Sequence, residues 1–220
     1  MTVSSPSPSP ERRLVTRFDA SALSDSDFAG AEVRGGKFEA SMLRGSDFSH
    51  ADLTGSSFRS SYVADASFDG ADLTDADMSA IELARASFRG SVLVRTDFSK
   101  SSLAGTRFAA VALTDVRLRL TDLRHTVFEN CTFTGVDFTH ADLRGLDLDG
   151  ASFTSVRFDR AGLEGVTFRG ATLRDVSFRA TTRRYRTALR TVAFDGARMD
   201  KLTSAGLKAM GADLSGVTVA

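Results

Sequence analysis

Three histidines, one cysteine and many aspartates are the residues of this chain equipped for metal binding or acid–base chemistry. Nucleophilic catalysis needs a hydroxyl or thiol within hydrogen-bond reach of a base. A zinc site needs His, Cys or Asp side chains converging on one point. His50, His125 and His140 each stand two residues after a large apolar residue. Cys131 stands two residues before one. Asp27, Asp47, Asp52, Asp72, Asp77, Asp97, Asp122, Asp137 and Asp142 each stand directly before one. Position in a repeating unit thus decides where these groups fall, and no glycine motif marks a phosphate site at a strand–helix junction.

The unit is five residues long. From Phe18 to Phe178 every fifth residue is Phe, Leu, Val or Met, a run of 33 positions that holds 16 of the 17 phenylalanines. A period of five suits neither a helix nor a flat strand, so the chain must turn a corner every five residues. Two residues earlier the chain is mostly small, as at Ser21, Ser41, Ala51, Ala71 and Ala161. Gly30, Gly55, Gly70, Gly90, Gly105, Gly135, Gly150 and Gly170 fall two residues later, where a tight turn favours positive φ.

Units such as Ala51-Asp52-Leu53-Thr54-Gly55 and Ala71-Asp72-Leu73-Thr74-Asp75 resemble the A(D/N)LXX unit of pentapeptide-repeat proteins. The resemblance covers about residues 16–180 and implies an all-β solenoid, a right-handed quadrilateral β-helix with four pentapeptides per coil. Reading every twentieth residue supports four columns independently. Two are mostly Phe, beginning Phe18, Phe38, Phe58 and Phe28, Phe48, Phe68. Two are largely aliphatic, beginning Leu23, Leu43, Val63 and Val33, Leu53, Leu73. Similar volume then recurs in each layer, as close packing demands. About eight coils at roughly 4.8 Å each would make a rod of about 40 Å.

Three parts follow. Residues 1–13, with Ser5-Pro6-Ser7-Pro8-Ser9-Pro10, read as a disordered tail. Residues 14–180 read as the β-helix. Residues 181–220 read as a register break, a partial coil and a helical cap. Across 181–193, Arg183, Ala188 and Ala193 fall where large residues belong, and Phe194 and Met199 resume one residue late. Arg183, Arg184, Arg186 and Arg190, with Tyr185, Leu189 and Val192, suit a loop or helix over the last coil. Thr203 to Gly211 reads as a short helix capped by Thr203 and ended by Gly211.

On this square coil the three histidines stand at outward corners of three different faces. They cannot converge, and the expectation is a non-catalytic protein with no metal and no cofactor. Cys131 reads as buried filler, and the lone cysteine excludes an internal disulfide. The nine aspartates read as repeat consensus. No apolar run approaches 18 residues and the N-terminus lacks an apolar signal core, which predicts a cytoplasmic protein with no membrane contact.

Function must then lie outside the rod. Relatives in the resembled family bind DNA gyrase and protect it from quinolones or toxins, as acidic DNA-mimicking rods that dimerise through their C-terminal ends. Residues 45–84 hold eight acids and one base, Arg59. Over the two coils this approaches the six or so charges of duplex DNA in about 10 Å. The whole of 14–180 carries 24 acids and 19 bases, so any mimicry is local and partial. Candidate partner-binding residues are Asp65, Asp69, Asp72, Asp75, Asp77 and Glu82, with an apolar strip of Met42 and Tyr62 beside Ala64, Ala84 and Ala104. Leu207, Met210, Leu214 and Val217 cap the core or form a two-fold dimer. The expected partner is a protein, DNA gyrase or another topoisomerase, with no direct nucleic-acid contact. The alternative is a scaffold component docked through its ends.

Overall fold

The computed structural model describes residues 16–179 and 182–220. The Ser-Pro segment lies outside the described residues. Parallel bridges join residues twenty apart on every side, from Arg17–Lys37, Ala22–Met42, Asp27–Asp47 and Glu32–Asp52 onward. Each coil therefore has four five-residue sides. We number the faces one to four after the columns that begin at Phe18, Leu23, Phe28 and Val33. On face four the bridges lengthen into short strands: β1 (Leu93–Val94), β3 (Ala112–Thr114), β5 (Thr132–Thr134), β6 (Ser152–Thr154), β7 (Thr172–Arg174), β8 (Arg198–Met199) and β9 (Thr218–Val219). On face three, β2 (Arg107–Ala109) pairs with β4 (Val127–Glu129).

The corner residue of each unit has positive φ. Gly30 and Gly55 take +67° and +66°, as their spacing predicts. Non-glycine corners adopt the same conformation, including Leu120 at +57° and Lys100 at +63°. A left-handed residue with a Cβ costs about 1 kcal/mol. Here the corner N–H is bonded to the next coil, as Lys100 N–H is to the Arg119 carbonyl at 2.9 Å, which offsets that strain.

Inside, opposite Phe columns meet. Phe38 stacks on Phe58 with ring centroids 4.6 Å apart, and Phe48 meets Phe58 edge-to-face at 5.4 Å. Offset stacks and edge contacts are the favoured aromatic geometries. The small inward position does more than fill space. Its hydroxyl donates to a carbonyl 23 residues earlier, tying each coil to the previous one: Ser56 to Val33 at 2.8 Å, Thr96 to Leu73 at 2.9 Å, Thr106 to Leu83 at 2.8 Å. Cys131 occupies the same position, with Sγ 3.5 Å from the Phe108 carbonyl. Burial pushes its thiol pKa up, as expected of an inert filler. Thr106→Val keeps shape and removes one such bond, so it should cost about 1 kcal/mol. Urea denaturation should report this as a lower midpoint with an unchanged slope.

The repeat aspartates have an equally local task. All nine accept a hydrogen bond from the backbone N–H two residues on, at 2.9 Å for Asp27, 2.8 Å for Asp47 and 2.9 Å for Asp72. This Asx geometry shapes each side of the square.

The register break contains α1 (Arg183–Leu189), capped by Thr182. Thr167 bridges Ala193 and Thr172 bridges Arg198, offsets of 26 in place of 20. Six residues have thus been inserted, and Leu189, fully buried, supplies the second-face column below Leu163. Phe194 then stacks on Phe168 at 5.5 Å. The second helix, α2, spans Lys201–Ala209. Its cap is Asp200, not Thr203: the Asp200 carboxylate accepts from Leu202 and Thr203 N–H groups at 2.8 and 2.9 Å. Thr203 is buried in the first turn, where its hydroxyl accepts from Val176 N–H at 3.0 Å. Gly211 follows the helix with φ +88°, the left-handed terminator expected of it.

Candidate interaction surface

His50, His125 and His140 sit at corners of faces three, two and one, with φ of +59°, +65° and +62°. Among the described residues, no group of three or more His, Cys, Asp or Glu is placed to hold a metal. No described helix is long and apolar enough to cross a membrane.

The acids at 45–84 do not form one belt. Flanking arginines, outside that window, reach into it. Asp65 is gripped by Arg85 at 2.7 and 2.8 Å and by Arg44 at 3.1 Å. The Arg85 guanidinium holds the Asp65 carboxyl below the usual carboxylate range. Arg95 does the same for Asp75, with bonds of 2.6 and 2.7 Å. Asp77 faces Arg59 at 3.7 Å. Exposed pairs of this kind add little to stability, yet they cancel charge that a partner would read. Counted over residues 34–95, nine acids face seven bases. The sequence window exaggerated the charge because the pairing runs between coils, twenty residues away.

What remains is a narrower feature. Asp27 bridges Asp47 on face three, and Glu32, Asp52 and Asp72 follow one another on face four. Asp69 adds a carboxylate on face three, directly before the Gly70 corner turns the chain. These six acids flank one edge of the rod over three coils. Arg34, on Asp52 at 2.5 Å, is the guanidinium paired among them. Hydrogen bonds from Ser49 hold the Asp47 carboxyl low. Asp69 accepts from the Ser87 hydroxyl at 2.5 Å and from Arg89 N–H at 2.8 Å. The edge thus brings Asp69 and Asp72 together with Asp27, Glu32, Asp47 and Asp52, which require face assignment to be grouped. Asp65, Asp75 and Asp77 lie apart from it. Glu82 lies on face two, its carboxylate accepting from Ala84 N–H at 3.3 Å.

Met42 bridges Tyr62, and Tyr62 bridges Glu82, on face two. Met42 is 51% exposed, while Tyr62 is half-buried. The strip beside them is smaller than its sequence spacing suggests, because Ala64 is fully buried. At the C-terminal end Leu207 is fully buried, and Met210, Leu214 and Val217 pack half-buried against the core. These four side chains close the rod's interior. The exposed apolar residues there are Leu202, at 83%, and Val219, on the last strand. Leu202 was not legible from the five-residue register because it belongs to α2, whereas Val219 follows the shifted register, pairing with Met199.

A parallel solenoid of square coils, filled by one large and one small inward residue per side, defines the class. The chain belongs to the pentapeptide-repeat family: a profile described as a pentapeptide repeat region matches residues 61–138 and 106–178, and one described as pentapeptide repeats (8 copies) matches 21–59. Among solved structures, the chain is similar to HetL, a pentapeptide repeat protein involved in heterocyst differentiation regulation from the cyanobacterium Nostoc sp. strain PCC 7120. Identity is 20% over 82% of this chain and 87% of that one, with a TM-score of 0.38. It is also similar to a trypsin-treated variant of QnrB1, a plasmid-mediated fluoroquinolone resistance protein, at 20% identity over 93% and 91% of the two chains and a TM-score of 0.43. A pentapeptide repeat protein from the Arabidopsis thaliana thylakoid lumen is 25% identical over 44% of this chain and 63% of that one, with a TM-score of 0.26. No curated protein matches the sequence.

Proposed function

We propose that this protein is a non-catalytic, cytoplasmic interaction module whose acidic edge docks into a basic groove on a protein partner. The observation that carries this reading is the edge flanked by Asp27, Glu32, Asp47, Asp52, Asp69 and Asp72, with one arginine among six acids. Six acids less one arginine over three coils, about 14 Å, reach somewhat over half the charge density of duplex DNA, which carries about one phosphate per 1.7 Å. A groove built to grip DNA is therefore the complementary surface. With the family resemblance, that favours DNA gyrase or another topoisomerase, engaged as a partial DNA mimic and giving resistance or immunity to a poison of that enzyme.

Gyrase supercoiling assays test it. Micromolar protein should inhibit supercoiling or protect it from a gyrase poison; no effect under either condition would refute the topoisomerase reading. Asp47→Asn, Asp69→Asn and Asp72→Asn together should weaken partner binding at least tenfold and flatten its salt dependence. Asp65→Asn with Asp75→Asn should change binding little, because arginines already neutralise those carboxylates. Equal effects of the two sets would remove the edge from consideration.

A second reading is favoured by the C-terminal end. Leu202 and Val219 are exposed there, and β9 is the last strand of the face-four sheet among the described residues. Such edges invite strand pairing. Either a two-fold dimer through this end or end-on docking into a larger assembly would cover it. Light scattering with size-exclusion chromatography distinguishes them: a dimer doubles the mass of the pure protein, and docking leaves a monomer that gains mass only with its partner.

A further inference from the structure

The hydrogen-bonded ladder is interrupted at one place. On face three the bridges run from Asp27 through Asp47, Ser67 and Ser87 to Arg107, and β2 then pairs with β4. The next bridge on this face joins Asp147 to Thr167, and Val127 has no bridge to Asp147. Between the same two coils the other faces stay closed, at Asp137–Arg157, Asp122–Asp142 and Thr132–Ser152. Among the described residues, the N–H groups of Phe128, Asn130 and Asp147 find no acceptor. The facing carbonyls of Asp147, Asp149 and Thr126 lose the corresponding donors.

At this level the phenylalanine stack of face three ends and rings move to face four, where Phe133 stacks on Phe153 at 4.7 Å. Rings in this column stack at 4.9 to 5.1 Å from Phe28 to Phe128. Leu148 follows, so the stack lacks a ring before Phe168. Phe128 is half-buried, whereas Phe88, Phe108 and Phe168 are fully buried. Beside it opens a cavity of about 190 Å³, lined by Phe128, Phe133, Cys131, Leu148, Asn130 and Asp149 among others.

We propose that this gap binds a small, neutral, planar aromatic amide, one ring in size, whose ring continues the stack on Phe128. An apolar cavity of about 150 Å³ is sufficient for benzene, so the volume fits one substituted ring. The open backbone supplies both N–H and C=O groups along one edge, which an amide satisfies with an acceptor and a donor of its own. Leaving such groups unpaired is costly, so a ligand that pairs them gains more than ring stacking alone. A carboxylate brings no donor for the open carbonyls, so an anion fits less well than an amide.

Benzamide is the probe, with benzoate as the charged control, followed by ligand-observed NMR on the full chain. Benzamide should saturate with a Kd of roughly 1–10 mM, as expected for so few atoms, and benzoate should bind at least several-fold more weakly. Leu148→Phe supplies the missing ring and should abolish benzamide binding. Where that variant fails to fold, Ala151→Leu narrows the same cavity and should weaken binding tenfold or more. As an independent readout, saturating benzamide should slow hydrogen exchange of the Phe128 and Asn130 N–H groups several-fold. Undiminished binding to the folded variant, absence of saturable binding to the natural protein, or unchanged exchange at both N–H groups would each overturn the proposal.

Discussion

Phe88→Ala is expected to destabilise the protein by about 3–5 kcal/mol, the range for truncating a buried aromatic. Phe88 is fully buried. Its ring lies between those of Phe68 and Phe108, each 5.0 Å away, and meets Phe98 edge-on at 5.5 Å. The cost should fall at the upper end because the site cannot collapse. Coils above and below are held apart by ladder bonds, including Phe88 N–H to the Arg107 carbonyl at 2.9 Å and Phe68 N–H to the Ser87 carbonyl at 2.8 Å. Residual cavity volume therefore stays close to the volume removed. Chemical denaturation measures it; a loss below about 1 kcal/mol would mean that neighbouring coils close the void. Phe88→Leu should cost less, and hydrogen exchange should show the face-three ladder still closed, as it is beside Leu118 on face one.

Asp200→Ala should be the next most damaging of the changes considered, at about 2 kcal/mol, and should alter acid stability. Asp200 caps α2 and also accepts from Asp175 N–H and the Thr203 hydroxyl, both at 2.7 Å. A lost cap costs about 0.5–2 kcal/mol, and bonds to a charged acceptor add to it. Burial pushes the Asp200 carboxyl up, but bonds from Thr203, Asp175 and Leu202 outweigh burial and bring its pKa down from 3.8 to about 2. A carboxylate with a depressed folded pKa stabilises the fold above its unfolded pKa and loses that contribution as pH falls through the folded value. Natural protein should therefore hold its melting temperature above about pH 5 and lose stability between about pH 4 and 2. Asp200→Ala should start lower and lose less across that window, with the remaining loss coming from the other carboxylates held low by their partners, such as Asp65 and Asp75. Parallel curves for the two proteins would show that Asp200 is not the acid-sensitive cap.

The five-residue spacing of large side chains made the square coil and its columns readable, because side-chain size on a corner-turning chain dictates what can face inward. The same register placed the histidines on separate faces and predicted a structural role for the aspartates, each of which bonds a backbone N–H two residues on. Features that depend on contacts between coils were less legible. Arg85 and Arg95 reach Asp65 and Asp75 from twenty residues away, so a linear charge window could not reveal the pairing. The acidic edge required face assignment for Asp69 and Asp72 before it could be grouped. Thr203 resembles an N-cap by type, yet Asp200 wins because its carboxylate accepts from two first-turn N–H groups. The ladder gap had no sequence signal of its own, since Leu118 and Met78 also interrupt phenylalanine columns and their ladders stay closed.

The inserted helix α1 has a bearing on how such a chain changes length. Its coil spans 26 residues, not a multiple of five, and yet Phe194 lands over Phe168 and Met199 pairs with Leu173. Phase along the rod is therefore set by the layer already built, not by counting along the chain. Each coil is a template that captures the next large side chain able to reach its column. The six-residue excursion is tolerated because the chain re-enters the columns already laid down, so this surface was added to the rod without changing its interior.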